Sequence, residues 1–221
     1  MMNLPLLLAL PAVLCASSPH ATRFELGEDA GSIGAVVGDS LAVLYRAGQH
    51  WDAFYQSVDR RRELWIRNWT QARVPPQLAD RARQVGGTWK VLVITEPGCS
   101  DSANSIPYIA KLIEETPGLE LRLTDSTAGR PWMEAHRSAD GRAATPAVLV
   151  LDEQFQIRGC WIEQPVALQA IWLPIVARGT MSEEIEAKMT WYAEDAGRET
   201  LREFVEVLEG AKSGNVVCPG L

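Results

Sequence analysis

The stretch from Lys90 to Ser102, Lys-Val-Leu-Val-Ile-Thr-Glu-Pro-Gly-Cys-Ser-Asp-Ser, constrains the fold of this chain more than any other. Lys90 to Thr95 is a short apolar, partly β-branched run between Gly86-Gly87 and Pro97-Gly98. That pattern predicts a buried strand. After Gly98 come Cys99 and the small polar residues Ser100, Asp101 and Ser102, and then Ile106, Ile109, Ala110, Leu112 and Ile113 recur at helical spacing. A cysteine therefore stands where a buried strand hands over to an amphipathic helix. Unpaired N–H groups and the helix macrodipole favour an anion at such a position. Cys99 is the candidate nucleophile.

A second feature lies downstream, where Thr145-Pro146 opens another apolar run, Ala147 to Leu151. Strand, Cys99-Ser-Asp-Ser102, helix and a proline-led second strand together resemble the thioredoxin fold. Several stretches are more narrowly similar to a bacterial thioredoxin-like group with Cys-Gly-Asp-Ser, Cys-Gly-Asp-Ala or Cys-Gly-Asp-Cys at its site. They are the basic segment Tyr55 to Arg62, Thr88 to Glu96, Cys99 to Pro107, Leu149 to Glu153, and Lys188 to Phe204 with its Trp191-Tyr192-Ala193-Glu194-Asp195. The resemblance implies an α/β fold, a central mixed sheet flanked by helices with extra helices at both ends. It also implies that the Thr145–Pro146 bond is cis and faces Cys99, with Thr145, Pro146 and Trp161 forming a groove for an extended peptide or partner.

The position three after Cys99 is Ser102, so a Cys-x-x-Cys disulfide is not available. Monothiol chemistry is the expectation: Cys99 attacks a disulfide or peroxide, and an external thiol or another cysteine resolves the product. Ser102 has a hydroxyl to offer the sulfur, whereas Asp101 adds a negative charge in the same first turn. Against the resembled fold, Val93 stands where many thioredoxins bury a carboxylate, and Gly98 replaces the Trp that commonly precedes the cysteine. Cys160, beside Trp161 near the end of the last strand, is a candidate resolving residue for Cys99; the alternative is a buried strand cysteine acting as a small hydrophobe. Cys218 reads as a free thiol on a frayed tail. Two functional readings stand: thiol–disulfide exchange with a thiol- or disulfide-bearing protein or small thiol, and a non-catalytic module that binds a peptide or partner.

Composition removes other classes. With 21 Lys and Arg against 28 Asp and Glu, the net charge is −7, which gives no reason to expect nucleic acid. The basic run Arg60-Arg61-Arg62 sits beside Asp59 and Glu63 and reads as a solvated or salt-bridged helix face. The four cysteines are far apart, and His20, His50 and His136 form no paired motif, so neither a metal nor another cofactor is expected. Asp125 and His136 read as loop and helix-surface residues. Leu4 to Leu14 is too short and too interrupted by Pro5 and Pro11 to span a membrane. Followed by Cys15-Ala16-Ser17-Ser18, it resembles a secretory signal core without the usual positive n-region, so export to the periplasm is the expectation and a cytoplasmic protein the alternative.

The remaining pattern divides the chain into a signal-like segment (1–18), an irregular lead-in (19–48), one thioredoxin-like domain with helical extensions (49–212) and a tail (213–221). Trp51, Phe54, Tyr55, Val58, Trp65 and Trp69 predict one amphipathic helix with an aromatic face. Gln77 to Gln84 predicts a short helix, Leu119 to Leu123 a strand, Pro131 to Arg137 a short helix, and Ala147 to Leu151 with Ile157 to Ile162 a hairpin. Pro165 opens an apolar helix over Val166 to Arg178 that Pro174 should kink or split. Ser182 reads as the N-cap of a long helix interrupted at Gly197.

Overall fold

The computed structural model describes residues 40–177 and 181–218. The signal-like segment and most of the lead-in lie outside the described residues. In chain order the elements are α1 (40–47), α2 (Trp51–Ser57), α3 (Arg62–Gln71), α4 (Pro76–Val85), β1 (Trp89–Thr95), α5 (Ser100–Glu114), β2 (Leu119–Asp125), α6 (Ser126–Ala135), β3 (Ala147–Leu151), β4 (Ile157–Ile162), α7 (Val166–Val176), α8 (Met181–Asp195) and α9 (Arg198–Ser213). The sheet order is β2-β1-β3-β4. β1 and β2 are parallel, joined by α5, while β1 with β3 and β3 with β4 are antiparallel.

Both faces of this sheet are covered, which is why β1 and β3 read as unbroken apolar runs. Alternation sends Val91, Val93, Val148 and Val150 to one face, where they meet Trp65, Ile106, Ile109, Phe204 and Leu208 of α3, α5 and α9. Leu92, Ile94, Leu149 and Leu151 go to the other, against Leu41 and Tyr45 of α1 and Trp132 and Met133 of α6.

α5 departs from the expected amphipathic pattern: Asp101 to Ala110 are buried on every side. Its polar first turns are therefore interior, and Asp101 and Asn104 take partners from neighbouring helices. Pro107 lies inside α5 and cannot donate to the carbonyl four residues back, that of Ala103. The Nδ2 of Asn68 on α3 donates to that carbonyl instead, at 2.8 Å, and also to Asn104 Oδ1 at 3.0 Å. A helix-breaking residue is thus accommodated by a side chain from a different helix.

The aromatic segment forms two helices rather than one. Arg61 takes a left-handed conformation (φ 51°) as the N-cap of α3, and Arg62 Nη1 donates to the carbonyl of Val58 at 2.7 Å, closing the break after α2. α6 starts earlier than expected because Asp125 caps it, its Oδ1 accepting from Ala128 N–H at 2.8 Å. His136 is buried against the Trp132 ring (centroids 4.4 Å apart) rather than on a helix surface. Pro174 does not split α7; it falls in the last turn, where it removes a single backbone bond. Between α8 and α9, Gly197 has φ 79° and lies so close to the Tyr108 ring that a Cβ would come within 2.3 Å of it.

The tail also differs from expectation. Cys218 forms a disulfide with Cys160 on the edge strand β4, and Cys160 N–H donates to the carbonyl of Val217 at 2.9 Å. Cys218 is therefore not a free tail thiol. Cys160 is likewise committed, so the Cys99–Cys160 pairing does not form and Cys99 is the free cysteine of the described residues.

Candidate functional site

Cys99 is the N-cap of α5, half-buried, at the positive end of the helix dipole. Its Sγ–H donates to the carbonyl of Thr145 at 3.1 Å, and the Thr145–Pro146 peptide is cis. Two strand ends thus meet at one sulfur: β1 delivers Cys99 through the turn Glu96–Gly98, and β3 begins immediately after Pro146. The loop before the cysteine is fixed from α3. Trp65 Nε1 donates to the Pro97 carbonyl at 3.0 Å and Arg61 Nε to the Gly98 carbonyl at 2.7 Å.

Asp101 is 4% exposed and turned into the protein. Its Oδ2 accepts from Lys188 Nζ and its Oδ1 from Tyr192 O–H, both at 2.8 Å, from consecutive turns of α8. Lys188 is itself buried and lies over the Trp172 ring of α7, 4.2 Å from its centroid. Burial, reinforced by the Asp101 charge, pushes the Tyr192 hydroxyl well above its ordinary range. The charge expected to compete with Cys99 for the helix dipole is paired. Ser102 is fully buried, and its Oγ has no partner among the described residues.

On the other side of the cis peptide, Glu163 N–H donates to the carbonyl of Pro146 at 2.7 Å. Glu163 is a non-glycine residue at φ 66°, and its buried carboxylate accepts from Arg142 at 2.6 Å. Burial raises this carboxyl; Arg142 partly offsets the rise, and the Asp101 charge adds to it. Asp101 and Glu163, with the cations Lys188 and Arg142, thus flank the Cys99–Pro146 junction.

A matching sequence profile described as thioredoxin covers residues 48–188, more than half of the chain. The chain belongs to the thioredoxin family. This thioredoxin-family chain resembles a 1.5 Å crystal structure of a protein of unknown function, PA1234, from Pseudomonas aeruginosa: 21% identity over 77% of this chain and 97% of that one, TM-score 0.61. It also resembles the crystal structure of an HIV epitope-scaffold, with 19% identity over 76% and 97% of the two chains and a TM-score of 0.60. At these identities the likeness is one of fold. No curated protein matches the sequence.

Of the residues singled out from the sequence, the thioredoxin-family fold brings Cys99, Thr145 and Pro146 together, with Asp101 and Ser102 in the adjoining turn. Trp161 lies on β4 opposite Val148, two residues after Pro146. Its ring is buried, its Nε1 donates to Glu203 at 2.8 Å, and it lines a pocket of about 680 Å³ whose walls include none of Cys99, Thr145 and Pro146. Lys188, Tyr192, Arg61, Arg142 and Glu163 were not identified as site residues from the sequence. The available signal was the four-residue spacing of Lys188 and Tyr192, which places both on one side of a helix.

Proposed function

We propose that the protein carries out monothiol thiol–disulfide exchange through Cys99. The observation that carries this reading is the free Cys99 at the start of α5, beside the cis Thr145–Pro146 carbonyl, with the neighbouring Asp101 charge paired to Lys188. The Cys99 thiolate attacks one sulfur of a substrate R–S–S–R′. The Cys99–S–S–R bond forms as the substrate S–S bond breaks, and R′S⁻ leaves to take a proton from solvent. An external thiolate then attacks the R sulfur and returns Cys99 as a thiolate. Cys160 does not take that second step, because it is held by Cys218. That disulfide also supports the exported reading of the N-terminus, since such bonds persist in oxidising compartments.

The second reading, a binding module using the backbone beside cis-Pro146, is favoured by the absence of a resolving thiol among the described residues. Incubation with a neutral aromatic disulfide that releases a coloured thione separates the two. With Cys15 replaced by Ser, exchange gives one equivalent of thione and one adduct, at Cys99, that a small thiol removes. An unmodified Cys99 after prolonged incubation contradicts exchange and leaves the binding reading.

A further inference from the structure

The run Arg60-Arg61-Arg62 sits in the turn that bounds the Cys99 loop. Arg61 Nε holds the Gly98 carbonyl at 2.7 Å, and the Arg60 guanidinium lies against Gly98 itself. A Cβ on Gly98 would come within 2.9 Å of Arg60 Cζ and 3.0 Å of its Nε, so a larger residue before Cys99 would displace the guanidinium. Both arginines are exposed, and none of the three makes an ion pair among the described residues. Arg62 is turned away to Val58 and Gln56. Two unpaired guanidinium groups therefore stand one residue from the free thiol, on a chain whose net charge is −7.

Their placement is built rather than incidental. Arg61 occupies a left-handed backbone conformation that non-glycine residues seldom adopt, and Trp65, one turn into α3, anchors the same helix to Pro97. The solvated-face expectation for this run describes its exposure but misses its position.

We infer that Arg60 and Arg61 recognise an anionic group on the substrate, so that the preferred partner of Cys99 is a small disulfide bearing a carboxylate within a few bonds of its sulfur. This rests on the exchange reading and names its substrate class. A guanidinium presents a planar fork of N–H donors that matches a carboxylate, and Arg60 has its fork free for that purpose. The carboxylate docks at Arg60 with the near sulfur in line with Cys99. The exchange step is the one written above.

The test is a matched series of aliphatic disulfides: the dianionic 3,3′-dithiodipropionate, the neutral 2-hydroxyethyl disulfide and the dicationic cystamine, reacted with the full chain and followed by the mass of the peptide that holds Cys99. The ratio of dianionic to neutral rates is expected to fall about tenfold or more in Arg60→Gln, which leaves the Arg61–Gly98 bond in place, with the neutral rate held within about twofold. Arg60→Lys, which keeps the charge and loses the fork, is expected to fall between. In the parent chain the ratio is expected to shrink as ionic strength rises from ~0.01 to ~1 M. A ratio that Arg60→Gln leaves unchanged, with Cys99 still reacting, overturns this inference alone. Failure of Cys99 to react with any of the three overturns the exchange reading and this inference together.

Discussion

Lys188 Nζ lies 2.8 Å from Asp101 Oδ2, joining α8 to the first turn of α5 across 87 positions of sequence. Both side chains are nearly enclosed, at 9% and 6% exposure. Removing one partner of such a pair leaves an uncompensated buried charge, which costs more than the pair contributes. Lys188→Met is expected to lower unfolding free energy by about 3–5 kcal/mol. It is also expected to slow the reaction of Cys99 with iodoacetamide, because an unpaired anion then stands two residues away. Asp101→Asn added to Lys188→Met should recover most of that reactivity. Recovery marks a charge effect, whereas a double variant as slow as Lys188→Met shows that α8 acts only as packing.

The Asn68–Ala103 contact makes a different expectation. Asn68→Leu leaves a buried carbonyl and the Asn104 side-chain oxygen without their shared donor, a loss of about 1–3 kcal/mol in denaturant melts. Pro107→Ala restores a backbone N–H that can reach the Ala103 carbonyl along the helix. The cost of Asn68→Leu should therefore be smaller in the Pro107→Ala background. Equal costs in both backgrounds would mean that Asn68 does not substitute for the missing helix bond.

Glu163 sets a pH dependence. Its carboxyl is raised in the folded protein by burial, against the offset from Arg142 and with the added push of Asp101 and Asp140. The native state therefore keeps this proton to higher pH than the unfolded chain does. The associated stability is present below the ordinary glutamate titration near ~4.3 and is lost as pH rises through the raised folded value. Glu163→Gln, neutral throughout, should gain on the parent chain in melting temperature as pH goes from about 4 to about 8. A difference that stays flat over this range contradicts the assignment.

The Cys160–Cys218 disulfide ties the tail to the edge strand over a sequence separation of 58. Cys218→Ser is expected to cost about 2–4 kcal/mol and to make Cys160 alkylatable on unfolding. An unchanged melt, or alkylation of Cys160 and Cys218 in the unfolded, unreduced parent chain, contradicts the bond.

Local signals in the sequence identified the elements that form the site. Alternation and β-branching located β1, β3 and β4, and the Gly98-Cys99 joint located the start of α5, because each depends on residues within one element. What failed depended on contacts between elements. The aromatic stripe predicts one helix because nothing local marks the left-handed Arg61 that divides α2 from α3. From the sequence Asp101 is a competing charge, because its partners, Lys188 and Tyr192, arrive from α8. The Cys218 pairing was missed for the same reason, since the tail reaches β4 only after α9 has packed across the sheet. Arg60 and Arg61 were recognisable as charge but not as neighbours of Gly98.

The most direct test is the rate at which Cys99 reacts with iodoacetamide at pH 7 in the full chain, with the Cys160–Cys218 disulfide closed, against a free N-acetylcysteine amide. A poised nucleophile at a helix start, with the Asp101 charge paired, is expected to react at least about tenfold faster than the free thiol. A rate equal to or below that of the free thiol would contradict the exchange function.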